Sequence, residues 1–138
     1  MVSRTVFAAV ATWSITGVLL AQSPPTQAKD GVFTAEQASR GQSHYAVFCA
    51  GCHADDLGGT NSGDSGAPPL KHDTFMRGST AEALFTKIQK RMPLDAPGSL
   101  SDEQVAELTA YLLKANGFPA GAMPLPTARE DLGRILIR

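Results

Sequence analysis

The sequence reads as a small all-α domain, three main helices joined by irregular loops. Three observations lead there. Three stretches carry apolar residues at helical spacing, each behind a Ser or Thr able to cap a helix. No stretch alternates convincingly as a strand does, and no internal repeat is found. A Gly, Ser and Pro-rich segment, residues 57–70, separates the first helix from the other two and reads as a loop. The chain has 138 residues, so one domain is expected.

Taken in order, the chain opens with Arg4 followed by "VFAAVATWSITGVLLA", residues 6–21, uncharged and mostly apolar. "QSPPTQAKD" follows. This is the pattern of a secretory signal peptide over residues 1–21, cleaved at Ala21 or as late as Ala28. The apolar run is shorter than the ~20 residues a membrane span needs, so no membrane span is expected after cleavage. Residues 22–33 read as a flexible N-terminal segment, residues 34–118 as the domain, and residues 119–138 as a tail. About 110–117 residues would remain after cleavage, enough for one modest core.

The first helix starts behind Thr34, with Gln37 completing a capping box, and carries Ala38, Gly41, Tyr45 and Phe48 at helical spacing. The second opens at Ser79 with Glu82 three residues on, and uses Leu84, Phe85 and Ile88. It must stop near Arg91, because the residue before Pro93 is pushed out of the helical region. The third begins at Ser101, with Val105, Leu108, Leu112 and Ala115 in one stripe, Tyr111 beside it, and Gly117 as a left-handed cap. A last short helix is predicted from Thr127, with Leu132, Ile135 and Leu136 on one side.

Twelve Lys and Arg stand against 13 Asp and Glu, a net charge of −1, so no basic excess points to nucleic acid. The chemistry sits in "FCAGCHADD", residues 48–56, which holds the only two cysteines, Cys49 and Cys52, with His53 directly after them. In an exported chain two cysteines usually pair. Three residues apart they make a poor staple, because the loop they would close is so short. A structural zinc needs four ligands, usually two such pairs, and only His44, His53 and His72 accompany the two thiols. A redox dithiol needs the pair at the start of a helix in a βαβ setting, whereas here a helix precedes it. Cys-x-x-Cys-His is instead the attachment signal of a c-type haem. The two thiols add to the two vinyl groups of one porphyrin edge, and His53 supplies the proximal imidazole to the iron.

Over about residues 35–116 the chain resembles the class I cytochromes c. Gly41 and Tyr45 match the small and aromatic residues that precede the haem motif in that family. Pro68 in "APPL", with Leu70, fits its Pro-x-Leu pattern, and Pro69 is the competitor. Met92-Pro93 matches its methionine–proline pair, and Leu108 with Tyr111 its Leu-x-x-aromatic pair. The resemblance implies three main helices and loops wrapped around one covalent haem c. It also implies a Pro68 carbonyl that accepts a hydrogen bond from His53, and Met92 as the distal iron ligand. Met92 suits burial because its thioether is soft and uncharged. Met123, also followed by proline, is the alternative, with His44 and His72 behind it; core filling is the expected role of Met76.

A His/Met pair fills both axial positions and raises the potential relative to two histidines. The expected function is therefore that of a periplasmic electron-transfer protein, not an enzyme. It would pass single electrons from a dehydrogenase or membrane complex to an oxidase or reductase through an exposed haem edge. The alternatives are a cytochrome subunit held in a multi-subunit dehydrogenase, for which the tail would be the binding element, and a haem enzyme or ligand sensor. Between residues 71 and 91, Lys71, Arg77, Lys87, Lys90 and Arg91 outnumber Asp73 and Glu82. Such a patch would steer an acidic partner; a plain solvated helix face is the competing reading.

Overall fold

The computed structural model describes residues 27–60 and 66–138. The expected signal peptide, residues 1–21, and the centre of the Gly-rich loop lie outside the described residues. The three expected helices are α1 (Ala35–Phe48), α3 (Ala81–Arg91) and α4 (Asp102–Ala115), joined by a single turn, α2 (Ala50–His53), and a short α5 (Arg129–Gly133). Among the described residues there is no strand, only isolated bridges from Leu136 to Gln27 and to Thr80.

Helices α1 and α4 form the principal helix pair. They approach closely because Gly41 has no side chain: a Cβ there would lie 1.9 Å from the Glu107 carbonyl oxygen. Tyr45 from α1 meets Tyr111 from α4, ring centroids 5.3 Å apart. Leu84, Phe85 and Ile88 of α3 join Val105, Leu108, Leu112 and Leu113 of α4 in one core. Phe48 departs from the expected α1 stripe, being 38% exposed and stacked on His44.

The helix ends follow the caps, with two corrections. Ser101 and Gln104 form the full reciprocal capping box of α4. At its other end Gly117, with φ +87°, lets Phe118 N–H reach the Leu113 carbonyl and its own N–H reach Lys114, a Schellman closure. At α1, Thr34 accepts from Gln37 N–H, but the Gln37 amide turns elsewhere: it donates to the Leu125 carbonyl at 3.0 Å and accepts from Leu125 N–H at 2.7 Å. At α3 the cap is Thr80, not Ser79. The Ser79 backbone is occupied, since its carbonyl accepts from Ile137 N–H at 2.9 Å.

The two chain ends depart furthest from expectation. The expected flexible segment 22–33 is, over its described part, a packed arm with Ala28, Val32 and Phe33 buried. Ala28 N–H donates to the Leu136 carbonyl at 2.9 Å. The last helix begins at Arg129 rather than Thr127 and ends at Gly133. Beyond it Ile135 and Ile137 are buried while Leu136 is not, a period of two rather than the helical stripe expected. Backbone hydrogen bonds to Ala28, Gly78, Ser79 and Ala81 hold this extended end, which is why it cannot coil. With Leu125, Leu132, Ile135 and Ile137 all in the core, the tail is a strap on its own domain.

Candidate haem site

Helix α1 breaks at Cys49, whose φ of −126° is not helical, and the chain restarts as the single turn α2. His53 N–H and Cys52 N–H both return to the Cys49 carbonyl, at 2.9 and 3.1 Å. The two thiols therefore stand one turn apart, as the motif requires. Cys49 is half-buried and Cys52 exposed, and both are free. Burial, then the neighbouring Cys52, pushes the Cys49 thiol up to about 11. Raised in this way, Cys49 is poorly placed to be the attacking thiolate of a dithiol pair. Among the described residues no three His, Cys, Asp or Glu side chains converge as a metal cluster.

Ala54, at φ +62°, turns the backbone out of α2. Its carbonyl accepts from the Tyr45 hydroxyl at 2.7 Å, so the buried Tyr45 on α1 pins the exit from the motif. Burial pushes the Tyr45 phenol up, keeping it a donor. His53 is 7% exposed, and its Nδ1 lies 2.9 Å from the Pro68 carbonyl oxygen. An Nδ1–H donated to that carbonyl leaves the Nε2 lone pair for a metal, and makes the imidazole a stronger donor.

Residues that carry no motif of their own put Pro68 there. Gly59, at φ +74°, runs so close to the returning chain that a Cβ would lie 2.5 Å from the Ala67 carbonyl oxygen. Its N–H donates to the His53 carbonyl at 3.0 Å. Thr60 closes the neck of the loop: its N–H donates to Ala67 and its hydroxyl accepts from Ala67 N–H. The same hydroxyl donates to the Cys52 carbonyl at 3.1 Å. Beyond the proline, the Asn116 amide donates to the Leu70 carbonyl and accepts from His72 N–H, tying this segment to the end of α4. The Gly-rich composition pointed to a loop; nothing in it marked Thr60 or Asn116.

Met92 caps α3 in an extended conformation, as a residue before proline should, and packs half-buried against the core. Met76 also packs partly buried, whereas Met123 is 63% exposed. His44 is engaged through Nε2 with Glu107, at 2.8 Å, and Glu107 is also paired with Arg40. His72 is exposed, its ring near the Thr74 hydroxyl and edge-on to Phe75. Lys71, Arg77, Lys87, Lys90 and Arg91 are all exposed, while Glu82 is paired with Arg129, which leaves the surface more positive than the residue count alone.

The donor set thus suits a covalent haem: two free thiols one turn apart, an imidazole with Nδ1 already engaged, and a half-buried thioether at a helix end. Comparison with known proteins agrees. The family described as cytochrome c oxidase, cbb3-type, subunit III matches residues 36–112. The chain is 30% identical over 95 residues to the cbb3-type cytochrome c oxidase subunit CcoP of Rhodobacter capsulatus, covering 58% of this chain and 31% of that one. It is 33% identical over 108 residues to the thiosulfate dehydrogenase of Stutzerimonas stutzeri, covering 72% and 35%. It spans about a third of the length of these relatives. The crystal structure of the sulfane dehydrogenase SoxCD from Paracoccus pantotrophus shares the fold, with a TM-score of 0.54 at 22% identity over 72% of this chain and 52% of that one. The chain belongs to this family of c-type cytochrome domains, all-α in fold and built to carry covalently bound haem c.

Proposed function

We infer that this chain is an exported, periplasmic electron-transfer protein with one haem, held by Cys49 and Cys52 and ligated by His53 and Met92. The observation that carries this reading is the His53 Nδ1 contact with the Pro68 carbonyl, directly beside the two free thiols. Bound haem supplies a one-electron couple. The protein's own residues do the rest. Pro68 orients the imidazole and strengthens it as a donor, with Gly59 and Thr60 holding the proline segment in place. Met92 offers a neutral sulfur that needs no counter-charge when buried. With both axial positions taken, the site favours electron transfer over catalysis on a bound substrate.

Redox partners would be a dehydrogenase or membrane complex as donor and an oxidase or reductase as acceptor. The exposed Lys71, Arg77, Lys87, Lys90 and Arg91 favour a partner with an acidic face and an on-rate that falls with salt. A second reading, a cytochrome subunit of a larger oxidase or dehydrogenase, is supported by the greater length of the relatives. The packed tail lends it little support, because Leu125, Leu132, Ile135 and Ile137 are buried in its own domain and Met123 is its one large apolar side chain left exposed. Signal cleavage fits Ala21 better than Ala28, whose side chain is fully buried and whose N–H is bonded to Leu136.

Optical spectra of the exported protein test the ligand set. The oxidised protein should show the far-red band of iron–methionine ligation. Met92→Ala should lose it and Met123→Ala keep it. The reverse would place the ligand on the tail and sink the reading.

A further inference from the structure

Met92 begins a ten-residue connection, residues 92–101, between α3 and α4. Its middle is poorly anchored. Residues 94–99 are all exposed, Leu94 at 79%. Among the described residues the hydrogen bonds of 93–99 are Ala96 N–H to Pro93 and Ser99 N–H to Ala96, both inside the loop. What holds it must act at its ends, through the buried Leu100 and the flanking helices.

Gln89, one turn before Met92, spans those ends. Its Nε2 donates to a carboxylate oxygen of Asp102, the first residue of α4, and its Oε1 accepts from Arg129 of α5. Arg129 also donates to Thr86 and, at 3.2 Å, to Glu82, and lies 5.9 Å from the centroid of the Phe85 ring. Glu82, Thr86 and Gln89 stand one and two turns apart on one face of α3, so a single guanidinium bridges them all. Its several donors allow this, where a lysine offers one point charge. The guanidinium can only donate and the carboxylate only accept, so together they fix which way the Gln89 amide points.

We propose that Gln89, oriented by Arg129 and tied to Asp102, is a positioning residue that clamps the two ends of the Met92 loop and keeps the methionine from yielding to competing ligands. The strap formed by the tail thereby gains a role: it delivers Arg129 to α3. This rests on Met92 being the distal ligand.

The test uses the full haem-loaded protein and exogenous imidazole as the competing ligand. In Gln89→Ala and Arg129→Ala the far-red band should survive at neutral pH, while imidazole binds the oxidised protein about 2- to 10-fold faster than in wild type, the scale of one lost hydrogen bond. The double variant should add less than the product of the two, because both act through one amide. Arg129→Lys should fall between wild type and Arg129→Ala. Gln37→Ala, which frees the tail from α1 outside the clamp, should melt lower yet bind imidazole at the wild-type rate. Wild-type imidazole rates in Gln89→Ala and Arg129→Ala, or equal acceleration by Gln37→Ala, would overturn the clamp and leave only a stabilising contact. A far-red band that survives Met92→Ala would overturn the ligand assignment itself, and the clamp with it.

Discussion

Gly41→Ala sets two opposed effects against each other, and the structure decides between them. In an isolated helix the change should help by about 1 kcal/mol, because alanine is the better helix former. In this protein the added Cβ would lie 1.9 Å from the Glu107 carbonyl oxygen, 2.5 Å from its carbonyl carbon and 2.9 Å from Tyr111 Cβ. Even a close carbon–oxygen contact needs about 3.3 Å. The two helices must therefore part by more than an ångström, and no rotamer can relieve a clash with backbone. Overpacking of this kind costs up to about 3 kcal/mol, occasionally more. Separation would also disturb Glu107, whose buried carboxylate joins Arg40 and His44 across the same crossing. Set against the propensity gain, a net loss of about 2 kcal/mol or more is expected. For a domain of this size that lowers Tm by roughly 10 °C. The assay is thermal unfolding of the haem-loaded protein followed by far-UV circular dichroism. Gly133→Ala is the control, because a Cβ added there would meet nothing within 4 Å, and it should be neutral or slightly stabilising. If Gly41→Ala melts with wild type or above it, the close crossing does not govern the packing of α1 on α4.

Gln37→Ala leaves both backbone groups of Leu125 without partners in a buried setting, which should cost about 1–3 kcal/mol per group; hydrogen exchange at Leu125 should speed up, and unchanged protection would refute the tie. Glu82 is held below the usual carboxylate range, first by the hydrogen bond from Thr86 and then by Arg129. A lowered folded pKa means stability present above the unfolded value of about 4.3 and lost as pH falls through the folded one. The Tm gap between wild type and Glu82→Gln should therefore close on acidification below about pH 4, and a gap that persists there would count against the pairing. N-terminal sequencing of the exported protein should find a start before Ala28; a start at Lys29 would mean that the Ala28 N–H bonded to Leu136 is absent from the mature chain.

Local chemistry was legible in the sequence wherever a residue acts on near neighbours. Cys49, Cys52 and His53 need only one helical turn to come together, so their spacing alone carried the reading of the motif. Thr34 and Ser101 cap helices through bonds to residues three positions on, and Pro93 constrains the residue before it. The helices, the break after Arg91 and the motif could all be read for that reason. Thr80 replaced Ser79 as a cap because Ser79 is claimed by Ile137, a partner far along the chain.

Partnerships across the chain were settled only by tertiary structure. Gln37 had the spacing of a capping box, but the unpartnered backbone of Leu125 is the better use for its amide. "EDLGRILIR" had helical periodicity, yet backbone bonds to residues 28 and 78–81 draw its end out straight. Thr60 and Asn116 are ordinary polar residues until the loop neck and the end of α4 are brought beside Pro68. Sequence alone pointed to a covalent haem domain and proposed Cys49, Cys52 and His53 to hold it, because the attachment motif is a local spacing. Tertiary structure decided what holds the surrounding loops and what the tail does, because a hydrogen bond between distant residues leaves no periodic trace in either one.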